Sequence, residues 1–344
     1  MAVAVIVSFR LGGTDGVSIE ASKWGSALQV LGFEVRTAAG EGPVDDLVPG
    51  LAIAARQAPA VDHVERALEG ADLVVVENLC SLPLNPPAAE VVAQICAGRP
   101  AVLHHHDLAW QRPDLGDAAP PDDPSWRHVT INELSRRELA ARGIEATTLY
   151  NRFDSAEPAG RRDETRAALG LVAHERLFLQ PTRALPRKNV AGGLELARRL
   201  GATYWLLGPA EDGYGSELAR LVAEAAGPVL LGPGVVGTIS VPDAYAACDL
   251  VLLPSSWEGF GNPTVESAIH HRPLCIGPYP VALELAEFGF DWFALDDVAA
   301  IGAWLDEPDR SVLERNWAVA DSHFSIRDLP DRLAKILATL PVRF

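Results

Sequence analysis

The sequence predicts an α/β protein built as two doubly wound parallel-sheet domains. Short apolar runs lack the polar alternation of a half-exposed sheet, longer helical patterns separate them, and the whole series repeats after a polar pause. At 344 residues with 48% hydrophobic residues, the chain has material for two cores.

In the first half, residues 2–8 form a near-continuous hydrophobic run, the pattern of a strand buried on both faces. A glycine-rich turn and a helical stretch over 17–31 follow. Further strands are expected at 34–37, 73–77, 101–105, 128–131 and 147–150, with helices at 87–97 and 132–142. The stretch 155–162 is polar and contains a Pro and a Gly, which places a domain boundary there and gives a first domain of 1–157.

The second half, 158–326, repeats the pattern. Strands are expected at 177–180, 203–207, 229–231, 250–253 and 274–276, and helices at 189–200, 216–225, 263–270, 281–288 and 298–305. Two such halves are expected to face a cleft, a common place for a ligand. The tail 327–344 holds one amphipathic helix over 327–340, suited to packing back on the first domain.

Charge and composition narrow the function. A net charge of −17 argues against a nucleic-acid partner that needs a broad basic face. Cys80, Cys96, Cys248 and Cys275 form no CxxC pair and suggest neither a zinc site nor a disulfide framework. Residues 1–9 are apolar but lack the basic start and cleavage site of a signal peptide, and no apolar run approaches membrane-spanning length. A cytoplasmic protein without an integral membrane segment is expected; the sequence assigns no oligomeric state.

The most informative segment is 254–266. Gly259 and Gly261 let the backbone turn sharply, Asn262 suits an N-cap and Pro263 the first helical position. Backbone N–H groups along Gly259, Phe260, Gly261, Asn262, Pro263 and Thr264 would then suit a phosphate or diphosphate, Pro263 itself having none. Glu258 lies before the helix and Glu266 one turn inside it, and carboxylates accept hydrogen bonds from sugar hydroxyls. The combination fits a nucleotide sugar.

Glu258 and Glu266, with seven residues between them, resemble the paired glutamates of retaining GT-B glycosyltransferases, above all glycosyltransferase family 4. The resemblance implies that Glu258 contacts the donor sugar and Glu266 the ribose. Two departures stand out: Asn262 replaces a common hydrophobic residue, and His270, His271, Arg272 and Pro273 replace a turn that usually carries Gly. Upstream, Arg183 and Lys188 resemble the family's diphosphate grip; fixed cations there would stabilise the charge that develops on the leaving group. Arg187 is read as a solvated loop residue.

Within the first domain, Gly12 and Gly13 resemble the family's N-terminal glycine pair, where backbone approaches donor or acceptor; Asp15 and Ser18 are alternatively cap residues. The run His104, His105, His106 and Asp107 follows a strand. The resemblance puts one histidine, His105 or His106, beside the reacting sugar, with Asp107 placed to orient it. Neighbouring strand residues point to opposite faces, and no carboxylate or cysteine stands at ligand spacing, so no metal is expected. Residues 151–154 and 321–325 resemble the family's interdomain link and closing segment. Gly208, and the group Leu231, Gly232 and Pro233, end strands that border the nucleotide base in that family.

These readings imply a metal-independent retaining hexosyltransferase. It would use no cofactor, taking a nucleoside diphosphate sugar, UDP- or GDP-linked, and a small polar or metabolite acceptor. The competing readings are a GT-B nucleotide-sugar epimerase, which would need no acceptor, and a non-catalytic nucleotide-sugar-binding module. A Rossmann dehydrogenase is disfavoured because the loop after the first strand is not GxGxxG.

Overall fold

The computed structural model describes residues 1–232 and 239–342. They form two compact units, one of residues 1–152 and 326–342, the other of residues 153–232 and 239–325.

The first unit contains a seven-stranded parallel sheet: β1 (Val3–Arg10), β2 (Glu34–Glu41), β3 (Asp46–Leu47), β4 (Leu73–Glu77), β5 (Ala101–His105), β6 (Trp126–Thr130) and β7 (Ala146–Thr148), in the order β3-β2-β1-β4-β5-β6-β7. Its helices include α1 (Gly16–Val30), α2 (Val61–Ala67), α3 (Pro86–Cys96) and α4 (Glu133–Ala140). Side-chain alternation explains the unbroken hydrophobic runs. Ala4 and Ile6 enter one core with Leu73, Val75, Trp24 and Leu28, while Val5 and Val7 enter another with Val74, Val76, Val64 and Val92.

The terminal helix, Leu329–Leu337, belongs to this unit. Leu329, Leu333, Ile336 and Leu337 form its apolar stripe and join the core of Trp24 and Leu28. Each leucine so buried contributes about 1.5–3 kcal/mol relative to exposure.

The second unit holds β8 (Arg176–Gln180), β9 (Ala202–Leu206), β10 (Val229–Leu231), β11 (Leu250–Leu253), β12 (Leu274–Ile276) and β13 (Phe293–Ala294), in the order β10-β9-β8-β11-β12-β13. Its helices are α5 (Arg162–Ala168), α6 (Val190–Arg199), α7 (Gly215–Glu224), α8 (Val241–Ala247), α9 (Pro263–Ile269), α10 (Pro280–Ala286), α11 (Val298–Asp306) and α12 (Arg310–Phe324). All its strand pairs are parallel, and the order reverses between β8 and β11. In open sheets of this kind, ligands bind beyond the carboxyl ends of the strands at that reversal.

The structure departs from the sequence reading in several places. The chain changes unit at Arg152 and Phe153, not after residue 157, because Phe153 bridges to Ser325 and its N–H donates to Phe324 O at 2.8 Å. Helix α12 has no counterpart in the sequence reading: Leu313, Trp317, Ala320 and Phe324 recur at helical spacing, but Val312, Ala318 and Val319 lie off that line, and the helix buries little beyond Asn316, Ala320 and Phe324. Helices α2, α5 and α8, of seven residues each, are likewise new. Pro233 lies outside the described residues. No helix among the described residues is long and apolar enough to cross a membrane.

Candidate active site

In the second unit, adjacency of β8 and β11 places the loops that follow them side by side. Lys188 and Glu258, 70 residues apart, therefore meet: Lys188 Nζ donates to Glu258 Oε1 at 2.5 Å. Arg187, expected in solvent, instead donates to Glu258 Oε2 and to Trp257 O, each at 3.1 Å, and is only 23% exposed. The correction has a backbone cause. Ser256 N–H donates to Arg187 O at 2.9 Å and Asn189 Nδ2 to Pro254 O at 3.2 Å, which straps the two loops together. Asn189 takes the left-handed conformation at φ 48° and caps α6 through Gly192 N–H, so the chain turns from the cationic loop directly into a helix.

Burial works against both ions of the pair. It pushes the Glu258 carboxyl up, but Lys188 and Arg187 hold it below its ordinary value, so Glu258 is ionised. Burial also lowers the Lys188 ammonium; Glu258 opposes that, while Arg187 and Arg183 add to it. Arg183 is thus close enough to act on Lys188, and its guanidinium is paired with Glu211 in the loop after β9. Gly208 makes this possible. A Cβ there would lie 2.7 Å from both Cα and N of Arg183, and Gly208 N–H donates to Thr182 O at 3.1 Å.

The glycine-rich turn is built differently from the expectation. Asn262 is helical, at φ −44° and ψ −38°, and makes no side-chain cap. The N–H groups of Thr264, Val265 and Glu266 are taken by the carbonyls of Gly261 and Asn262. Phe260 and Thr264 are buried, the first packing against Phe153 and Phe324 and the second donating its hydroxyl to Gly261 O at 2.8 Å. Gly261 has φ 87°, and a Cβ there would stand 2.2 Å from Tyr279 Oη, so only glycine fits. Glu266 accepts a 2.6 Å hydrogen bond from Tyr245 Oη; Tyr245 is fully buried on α8, a partner that nothing near Glu266 in the sequence indicated.

In the first unit, Gly12 has φ 73° and stands against Pro43, while Gly13 is exposed. Asp15 caps α1, accepting from Ser18 N–H at 3.2 Å and from Ser18 Oγ at 2.8 Å.

The three histidines of β5 and its end separate onto two faces. His105 is sealed, with both ring nitrogens used: Nδ1 meets Ser81 Oγ at 2.6 Å and Nε2 meets His128 Nδ1 at 2.9 Å. His128 Nε2 continues to Asp122 Oδ1 at 3.1 Å. His105 thus has no ring nitrogen left for a sugar. His104 and His106 share the opposite face, where both meet Glu77: His104 Nδ1 at 2.9 Å and His106 Nε2 at 2.7 Å from Oε2. The register pairs Glu77 with His104 across β4 and β5.

Glu77 overturns the argument that no carboxylate stands beside the histidines. Glu77, His104 and His106 offer ligand atoms within 4.8 Å of one another, a donor set that could hold a metal ion, and strand adjacency, invisible in the sequence, supplies it. Burial raises the Glu77 carboxyl, yet the two histidines hold it down at about 2. Asp107 does not orient an imidazole; it accepts from Arg112 Nη1 at 3.2 Å. Asn78, at φ 58°, accepts through Oδ1 from His106 N–H at 3.1 Å and Asp107 N–H at 3.3 Å, shaping the end of β5.

Two parallel doubly wound sheets, with a cation and carboxylate constellation where the second reverses its strand order, give the chain the fold of the GT-B glycosyltransferases. No family profile matches the chain. Mannosylglucosylglycerate synthase of Petrotoga mobilis is 25% identical to it, over 86% of each chain. The enzyme of the same name from Thermotoga maritima is 24% identical over 96% of this chain and 98% of its own. Among solved structures, HepE of Anabaena in complex with UDP-glucose superposes with a TM-score of 0.75 at 19% identity, over 98% of this chain and all of that one.

Proposed function

We propose that the chain transfers a hexosyl group from a nucleoside diphosphate sugar to a small polar acceptor, with retention at the anomeric carbon and without a divalent metal, in the manner of glycosyltransferase family 4. The observation that carries this reading is the buried cluster of Lys188, Arg187 and Glu258 beside Arg183. An ionised carboxylate held in a water-poor pocket accepts hydroxyls of the donor sugar. Cations fixed around it stabilise the departing diphosphate without reorganising. Glu266, held by Tyr245, is assigned to the ribose. His106, whose Nδ1 is neither bonded nor sealed among the described residues, is assigned to a sugar hydroxyl.

The relatives favour a particular acceptor class. Mannosylglucosylglycerate is built from hexoses and a small hydroxy acid, which agrees with a sugar-acid or similarly polar acceptor. HepE in complex with UDP-glucose supports a UDP-sugar as donor, with a GDP-sugar as the second choice. The four cysteines are free thiols, which suits work in the reducing cytoplasm.

Calorimetry with UDP-, GDP-, ADP- and dTDP-sugars tests the reading. One donor class is expected to bind, and to bind more weakly to Lys188→Ala. Transfer is expected to persist in EDTA and yield a product with the donor's anomeric configuration. Failure of every nucleotide sugar to bind would refute the proposal. Conversion of the donor with no acceptor present would make the chain an isomerase instead.

A further inference from the structure

We propose that Glu77 is a positioning residue of the transfer reaction: by taking the Nε2–H of His106 and the Nδ1–H of His104, it turns the Nδ1 lone pair of His106 toward a substrate hydroxyl. This rests on the reading of His106 as the residue that meets the sugar.

The argument is one of proton inventory. Glu77 is completely buried, and its Oε2 faces a ring nitrogen of both His104 and His106, an arrangement in which a carboxylate oxygen accepts from both. Both imidazole nitrogens that face it, at 2.9 and 2.7 Å, must therefore carry hydrogen. A neutral His106 then has its lone pair on Nδ1. That atom is bonded to nothing among the described residues, and it is not one of the sealed atoms, whereas His104 Nε2 is both sealed and unpartnered. His106 retains 6% exposure, at the C-terminal edge of the sheet, and its backbone is pinned by Asn78.

His104 completes the hold. Its ring stacks on Trp24, with centroids 4.1 Å apart, and its Nδ1–H occupies the carboxylate from the second strand. Glu77 therefore cannot rotate away from His106 without breaking two hydrogen bonds in a dry site. A carboxylate behind the imidazole also makes Nδ1 a better acceptor. The two histidines are separated by one residue because only alternate residues of an extended chain share a face.

The test uses the full chain with Glu77→Gln, His106→Asn and the double variant. Long-range proton–nitrogen spectra of the histidine side chains are expected to show His106 protonated at Nε2 in the wild type, and that preference lost in Glu77→Gln. With the best donor, Glu77→Gln is expected to lower kcat at least 100-fold while donor KM and donor affinity by calorimetry stay within threefold. In the His106→Asn background, adding Glu77→Gln is expected to cost less than threefold. Multiplicative losses in the double variant, or an Nδ1-protonated His106 in the wild type, would overturn the proposal. So would activity abolished by EDTA and restored by zinc, which would make the cluster a metal site. If Glu77→Gln does not fold, Glu77→Asp keeps the charge one methylene short, and an unchanged kcat in it would be fatal. The histidine spectra require no substrate, so a chain that bound no nucleotide sugar would defeat the donor reading and leave this one separately decidable.

Discussion

The ammonium of Lys188 sits 2.5 Å from Glu258 Oε1, with only 10% and 8% of the two side chains exposed. A buried pair of this kind is costly to break, because the survivor is left desolvated and unpaired. The two halves of the pair are not equivalent, since Arg187 also reaches Glu258.

Glu258→Ala leaves two cations without their counter-ion and is expected to destabilise the fold by about 3–5 kcal/mol. Lys188→Ala leaves Glu258 with Arg187 and is expected to cost less. Urea titrations of the two variants check the order. Equal losses would mean that Arg187 contributes nothing to the cluster. Glu258→Gln, nearly isosteric, separates chemistry from folding: its kcat is expected to fall by about two orders of magnitude, the scale of one transition-state contact.

Gly208→Ala would place a methyl carbon 2.7 Å from the backbone of Arg183. Backbone cannot yield as a flexible side chain does, so a loss of about 1–3 kcal/mol in stability is expected. The displaced Arg183 is expected to weaken binding of the donor diphosphate at least tenfold by calorimetry. An unchanged affinity would detach Arg183 from the diphosphate.

Burial pushes His270 down to about 4, helped by Arg272 and His271, and its ring stacks on Tyr245. The folded state therefore keeps this imidazole neutral where the unfolded chain, near its ordinary 6.5, takes up a proton. Stability is full above pH 6.5 and falls as the pH drops from there to about 4, by up to about 3 kcal/mol. Denaturant titrations across this window are expected to show a shallower slope for His270→Gln. The depressed Glu77 carboxyl acts mostly lower, between its ordinary 4.5 and about 2, and His104, His105 and His128, also held down by burial, act alike in both proteins, so the difference in slope belongs to His270.

Asp122 can only accept, so it sets the direction of the chain Ser81, His105, His128, Asp122, with Ser81 Oγ as the first donor. Ser81→Ala leaves a buried imidazole nitrogen unsatisfied and is expected to cost about 1–3 kcal/mol. Asp122 is 54% exposed, and Asp122→Asn is expected to cost below about 1 kcal/mol. Thermal melts decide between this order and its reverse.

Most of the strands could be anticipated, because residues such as Val5, Val7 and Leu252 lie in runs whose burial on both faces shows directly as missing alternation. The loops that carry Arg183, Lys188 and Glu258 were legible for a related reason: glycine, proline and charge cluster where strands end. Arg187 was misread because a cation beside a proline looks the same whether it faces water or a carboxylate 71 residues away.

Local chain chemistry decided most of the strands and the helices that the sequence showed directly, since periodicity and turn preference act over a few residues. Tertiary packing decided the partners. Glu77 meets His104 across 27 residues, and Tyr245 meets Glu266 across 21, only because a register between neighbouring strands and a helix docking were chosen by the burial of the whole core. Hydrogen bonds in a dry interior are short-ranged and directional, so which ring nitrogen stays open, as on His106 and not His105, follows from three-dimensional placement alone.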